Sequence, residues 1–526
     1  MTRPPEDPSP NAAKPEGAGG LSSAAASGTG WTTIQGLINK VATMVATYIV
    51  SMKLSPDEFG MATLVVAIGG FLIVLPPLVM GDVLITHQRR FRTMVRTAGS
   101  MVLWIGVLTT VVVAAVSPLM AHFYPNYAFG TLVGLLIVLS LRPSGDALAV
   151  VPLSRLRIDL RYRAIALIDG SVQMVATITT VVMAFLGAGA LSLVLPQVAA
   201  IAAKAVCYRV AAAGHAQDGL APRPHARRQI RGRMMREFST AGSAQYIHTL
   251  IGWVPVLVLG KLATETETGF FSFAFLLANQ ATFVISYQLG TVLQPIFGRL
   301  KHEPARQAAG FLRVVRAIGA LAVPVSFLQA ALAQPLFLLV FEPKWAGAAP
   351  VFAVLCIGQA FYFAMAPAMA LLKAQGRFRA FFVWQAVQLA ASLALYPLSA
   401  LAGDALGVAI CDTIVWGVSV PIAVWLGTRI AGGRAREAVA VFLAPWSTAV
   451  PIAAAAFGAW YLMQPLGTAG MVLSLFVVGP IALALSIWAT RFSQPATYAE
   501  LQPMMAKIGG KLGRLPRSVL ARIAGG

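Results

Sequence analysis

The stretch "WTTIQGLINKVATMVATYIV", Trp31 to Val50, decides the fold class of this chain. It is apolar and free of proline, and at 1.5 Å per residue it reaches about 30 Å, the thickness of a bilayer's hydrocarbon core. Lys40 nevertheless sits almost at its middle, about nine residues and roughly 13 Å from the start, too deep to snorkel to the interface. Exposed to lipid there, an ammonium costs on the order of 3 kcal/mol or more, so Lys40 must face protein or water. Thr33, Gly36, Lys40, Thr43, Thr47 and Ser51 recur at steps of three and four. They form one small, polar helix face opposite apolar Ile34, Leu37, Ile38, Val41 and Val45. That face is either a packing seam with one paired lysine or the wall of a cavity in which Lys40 is the cation.

Apolar runs of the same length recur to the end of the chain. Of 526 residues, 58% are hydrophobic and 11% charged, and the mean hydropathy is +0.75, far above a soluble domain. The expectation is an all-α polytopic membrane protein of about fourteen transmembrane helices. The spans fall near 31–52, 61–83, 95–120, 128–150, 164–186, 188–210, 238–262, 269–294, 312–340, 347–372, 379–400, 404–427, 438–462 and 467–489, numbered 1 to 14 below.

The net charge of +21 is topology rather than a nucleic-acid surface. Of the 40 lysines and arginines, Lys40, Arg142 and Lys204 lie inside spans, and Lys53, Lys261 and Lys344 lie in alternate connections. All the others fill the termini, the remaining connections and the span ends that flank those connections. That alternation places both termini and the basic loops in the cytoplasm. Cys207, Cys356 and Cys411 lie singly inside apolar spans, with neither disulfide nor metal-ligand spacing. No zinc motif, phosphate-binding glycine-lysine loop or nucleophile elbow is found, so neither a metal nor a cofactor is expected, and a proton or sodium gradient is the energy source left open.

Two echoes suggest an internal duplication. "KLSPDEFGMATL" from Lys53 follows span 1 as "KLATETETGFFSF" from Lys261 follows span 7, and "RYRA" (161–164) opens span 5 as "RFRA" (377–380) opens span 11. Offsets of similar size pair two six-helix lobes around a central cavity, with two additional C-terminal helices. The expected organisation is a disordered cytoplasmic tail (1–28), an N-terminal lobe (29–211), a basic cytoplasmic linker (212–237), a C-terminal lobe (238–430), spans 13 and 14 (431–490) and a basic amphipathic cytoplasmic tail lying on the anionic leaflet (491–526).

The remaining polar groups inside spans are the candidate site. Arg142, followed by Pro143, is either a cavity cation or half of a same-helix pair with Asp146. Lys204 in span 6 either joins such a cavity or snorkels. Asp412 in span 12 is the deepest acid and has no cation three or four residues away, which makes it the ion-coupling candidate or a hydrogen-bonded acid at a helix junction. Asp82 and Asp169 lie near Arg89 and Arg163 and read as capped or paired. Span 8 carries Asn279, Tyr287 and Gln294, and span 10 carries Gln359. Such amides and aromatics suit a glycan path or bond helix to helix.

At "LSPDEFGMATLVVAIGGFLIVLPPLVMGDVLITHQRR", Leu54 to Arg90, the chain resembles the bacterial polysaccharide transporters of the multidrug/oligosaccharidyl-lipid/polysaccharide exporter superfamily. Leu54, Ser55, Pro56, Asp57, Phe59 and Gly60 keep the family's connection after span 1, although Lys53 replaces the expected preceding residues. "RIDLRYRAIA", "FEPKWAGAAPVFAVLCIGQAF" with Lys344, Trp345 and Pro350, and "LLKAQGRFR" extend the likeness through most of residues 31–430. The resemblance implies a non-enzymatic flippase of the bacterial inner membrane. It would carry a polyprenyl-pyrophosphate-linked glycan to the periplasm by alternating access, for exopolysaccharide, capsule or O-antigen (lipopolysaccharide) synthesis. Its partners would be membrane lipids and the polymerase and glycosyltransferases of the same pathway, with no nucleic acid. Lys40, Arg142 and Lys204 would then receive the pyrophosphate, whose oxygens accept charge-assisted hydrogen bonds. A lipid II flippase and a multidrug antiporter are the rivals within the superfamily. A glycan polymerase is the rival from another class, disfavoured by short outward connections.

Overall fold

The computed structural model of the protein describes residues 38–73, 77, 79–86, 91–159, 161–213, 224–282, 293, 296–401, 404–495 and 497–498. The expected tail 1–28, the first turns of span 1 and the amphipathic stretch beyond Tyr498 lie outside them. Among the described residues all regular structure is helical, and ten helices are long and apolar enough to cross a membrane. Their surfaces carry exposed Trp104, Leu108, Leu186 and Leu462, an outward apolar coat suited to a bilayer.

Prolines shape several spans. The apolar run of span 2 is divided into Pro56–Leu72 and Val79–Thr86, with Pro76 and Pro77 between. Span 4 is divided into Phe129–Ser140 and Arg142–Ile158, interrupted at Leu141, because Pro143 has no N–H to donate to the carbonyl of Leu139. Span 7 is one helix, Pro224–Leu262, so the linker from Pro224 onward is a basic helical extension of that span.

Spans 3 (Phe91–Phe123), 4, 5 (Tyr162–Phe185) and 6 (Leu191–Ala213) pack on one another. Spans 8 (Glu265–Thr282), 9 (Pro304–Ala331), 10 (Ala348–Tyr362 and Met365–Ala374), 11 (Phe378–Ala400) and 12 (Ala405–Ile430) form a second set around the largest buried clusters. The sets meet where Pro56–Leu72 runs along spans 7 and 8. Trp446–Met463 and Gly479–Ser493, of spans 13 and 14, pack on each other and on span 9.

The alternation of connections seen in the sequence is realised in space. At one end, the connections after spans 1, 3, 7, 9 and 11 touch. Lys344 Nζ donates to Met52 O (3.0 Å), Asn126 Nδ2 to Ala263 O (2.8 Å), and Glu267 Oε2 accepts from Ala405 N (2.8 Å). At the opposite, basic end, Arg161 Nη1 donates to Ala211 O (2.9 Å) and Gln375 Nε2 to Gln307 Oε1. The first of these is called the outer end below.

Candidate functional site: a cavity of paired charges and its closed end

A cavity of 510 Å³ lies between spans 2, 4 and 7, running from Gly69 and Leu139 at mid-span to Asp82 and Arg157 at the basic end. The half-helix that begins at Arg142 supplies one of its walls. Arg142, Asp146, Val150, Ser154 and Arg157 recur at steps of four, four, four and three, one continuous face of Arg142–Ile158 turned to the cavity. Thr249 and Trp253 of span 7 line it from across the contact between the two helix sets. Gly70 keeps that contact close, since a Cβ there would lie 2.7 Å from the Trp253 indole.

The charges in this wall balance. Arg142 Nε lies 3.8 Å from Asp146 Oδ2, and Arg157 Nη1 lies 3.5 Å from Asp82 Oδ1. Both separations exceed the 2.7–2.9 Å of a strong charge-assisted hydrogen bond. Each arginine also keeps 40% of its side chain accessible. The carboxylates therefore offset the cost of cations inside an apolar bundle, while leaving guanidinium donors that a stronger anion can capture. Phosphate oxygens match the guanidinium fork in two parallel bonds, which a carboxylate 3.5 Å or more away does not.

The structure brings one of the three expected cations, Arg142, into this cavity. Lys204 instead pairs with Asp169 at 3.2 Å between spans 6 and 5, and Asp169 also accepts from Tyr208 Oη at 2.6 Å. Lys40 is half-buried on helix 38–53 and is not among the residues lining this cavity. Asp412 is 4% exposed and accepts from Tyr396 Oη (2.8 Å) and Trp416 Nε1 (3.2 Å). Asn279 donates to Phe275 O of its own helix (2.9 Å), and Gln359 is buried with its Oε1 lacking a donor. Tyr287 and Gln294 lie outside the described residues. Sequence reasoning missed Arg157, Asp82 and Trp253 as a group. Arg157 reads as one more arginine of a basic connection, although its register with Arg142, Asp146 and Ser154 could have marked it.

The outer end is shut, and the motif after span 1 shuts it. Ser55 Oγ accepts from Glu58 N (3.2 Å) while Glu58 Oε2 accepts from Ser55 N (3.0 Å), a reciprocal cap, with Pro56 in the first turn. This start fixes Pro56–Leu72 so that Gly60 meets span 8 at Gly269, backbone against backbone. A Cβ on Gly269 would lie 1.9 Å from Pro56 O, and one on Gly60 would lie 2.3 Å from Glu265 O. These are the two glycines of the sequence echo. Trp345 closes the same end, its Nε1 donating to Ser51 O (2.9 Å), its ring 4.0 Å from that of Phe273 and edge-on to Phe59 at 5.8 Å. Thr266 Oγ1 donates to Asp57 Oδ1, and Glu265 lies beside them.

Comparison with known proteins follows the same lines. The chain is 24% identical over 162 residues to the succinoglycan biosynthesis transport protein ExoT of Rhizobium meliloti, 31% of this chain and 32% of that protein. It is 26% identical over 202 residues to the teichuronic acid biosynthesis protein TuaB of Bacillus subtilis, 37% of this chain and 41% of that protein. The chain thus spans less than half the length of the curated relatives it matches. In fold it is similar to a lipid II flippase MurJ in an inward closed conformation (TM-score 0.68, 10% identity, 88% of this chain and 99% of that one). An inward-facing multidrug transporter of the MATE family is similar at a TM-score of 0.57 (11% identity, 75% and 96% of the chains). The profile of the polysaccharide biosynthesis protein family matches residues 50–350, more than half of the chain, and the chain belongs to that family.

Proposed function

We propose that the chain is a flippase that carries polyprenyl-pyrophosphate-linked oligosaccharide repeat units across the bacterial inner membrane by alternating access. In this reading it has fourteen spans, two six-helix lobes with spans 13 and 14 added, and both termini in the cytoplasm. Family membership and the biosynthetic transport roles printed for its relatives support the substrate class. The observation that carries the reading is a cavity with two accessible, loosely paired arginines, Arg157 at the basic end and Arg142 at mid-span, in a protein shut at the outer end by glycine-to-glycine helix contact.

The headgroup enters at the basic end, where its phosphates take the guanidinium of Arg157 from Asp82, and then moves about 22 Å along the same helix to take that of Arg142 from Asp146. Lys40 and Lys204 contribute as cations of the same lobe, and Asn279, Tyr287, Gln294 and Gln359 line the path of the sugars. Parting of Gly60 from Gly269 opens the outer end, where Asp57 and Glu265 repel the departing anion. Asp412 couples the cycle to a proton or sodium gradient. The glycosyltransferases act before this step and the polymerase after it, on the same carrier.

The presence of two aspartates in the cavity, with the likeness to a multidrug transporter, favours cationic-drug antiport as the second reading. One experiment separates them. A deletion strain is fractionated for lipid-linked sugars, and their sidedness is probed with an impermeant glycan reagent. Complete repeats held on the cytoplasmic face support the flippase. Untouched glycan intermediates with raised drug sensitivity support the antiporter, and repeats found chiefly outside sink both.

A further inference from the structure

Away from that cavity, an 830 Å³ groove runs between spans 11 and 12. Its lining reaches from Arg377 to Leu395, about 27 Å along span 11. The walls are apolar, and Val383, Val387, Ile414, Val418 and Ile422 are all exposed on the outward surface. At the basic end the groove finishes in Gly376, Arg377 and Arg379. Gly376 has φ +71°, the left-handed turn that glycine takes most easily, and it ends span 10 so that Arg377 stands at the head of Phe378–Ala400. The positive end of that helix adds to the two arginines.

The internal echo isolates what is unusual here. In "RYRA", Arg161 donates to Ala211 O and so ties span 5 to the end of span 6. In "RFRA", the corresponding Arg377, like Arg379, makes no side-chain hydrogen bond or ion pair among the described residues, and both are exposed. The lining also includes Trp384, Gln388 and Ser419, each less than a tenth exposed and each with a buried polar atom lacking a partner. Trp384 lies about 8 Å along the helix from Arg379. A wall with cations at its mouth, an indole N–H below them and hydrocarbon beyond repeats the order of phosphate, ester and chain in a glycerophospholipid.

We propose that the groove between spans 11 and 12 binds an anionic phospholipid from the leaflet on the basic side, its phosphate on Arg377 and Arg379 and one acyl chain along the groove. The site is independent of the flippase reading, because it faces the bilayer rather than the cavity between spans 2, 4 and 7. An anionic rather than zwitterionic lipid is specified by charge complementarity, since two unpaired arginines at the interface favour a headgroup with net negative charge.

Native mass spectrometry of the full-length protein, incubated with equimolar phosphatidylglycerol and phosphatidylcholine in detergent, tests this without any transport assay. Retained phosphatidylglycerol should dominate. R377Q/R379Q should weaken that retention by about 30-fold, roughly fivefold for each interfacial arginine. V387W/V418W, at exposed positions where added bulk meets lipid, should lose the bound lipid with both arginines intact. R434Q/R436Q, which removes the same charge from the next basic connection, should behave as the unaltered protein. Equal retention of the two lipids, indifference to R377Q/R379Q, or displacement by a polyprenyl phosphate at lower concentration would overturn the proposal.

Discussion

Gly269→Ala tests the outer closure directly. The new Cβ would stand 1.9 Å from Pro56 O. An ordinary contact needs roughly 3.5 Å, so spans 2 and 8 must part by about 1.5 Å. The obstructing atom is backbone, held by the Ser55–Glu58 cap, and no side-chain rotation relieves it. Overpacking of this kind costs about 1–3 kcal/mol. That cost falls on the shut state and not on one in which the helices have separated, so the ratio of open to shut protein should rise by a factor of about 5–150. The assay is a dipolar distance measurement between spin labels at Phe129 and Leu262, both exposed at the outer end, with Cys207, Cys356 and Cys411 changed to alanine. Gly252→Ala in span 7 is the control, because a Cβ there meets nothing within 4 Å. The longer-distance population should grow in Gly269→Ala alone. An unchanged distribution, or an equal shift in Gly252→Ala, would refute the argument that glycine contact sets the closure.

Arg157→Gln should abolish polymer export and lower thermal stability, because Asp82 loses its ion pair with Arg157. Arg157→Gln with Asp82→Asn should recover the stability but not the export, and recovered export would remove Arg157 from the substrate site. Asp412→Asn preserves the shape that accepts from Tyr396 and Trp416 while removing the titratable charge, so it should slow transport driven by an imposed proton or sodium gradient. Gradient dependence in vesicles that matches the unaltered protein would eliminate Asp412 as the coupling group. Lys40→Ala should stop export while the protein remains in the membrane, and Lys40→Arg should keep part of it. Normal export by Lys40→Ala would leave the helix-packing role standing.

Much of the architecture was legible along the chain because the bilayer imposes one-dimensional rules. A span needs a run of apolar residues of fixed length, and basic residues mark alternate connections, so helical class and the pairing of connections at two ends followed from residue order alone. The echo after spans 1 and 7 was legible too, but not its meaning. Only the tertiary structure placed Gly60 against Gly269, because contact between two helices depends on their rotation and depth, which neither helix's own periodicity records. The same reason explains the ion pairs. Arg142 and Asp146 lie four apart on one helix and were readable as neighbours, and the structure pairs them. Asp82 with Arg157, and Asp169 with Lys204, join different helices. For Asp169 the nearest arginine in sequence was a poor guide, since a charge inside a bundle is satisfied by whatever the packing of spans brings within reach, while Arg89, the arginine near Asp82, lies outside the described residues. Sequence thus determined which groups were expensive to bury, and the fold decided which of them met.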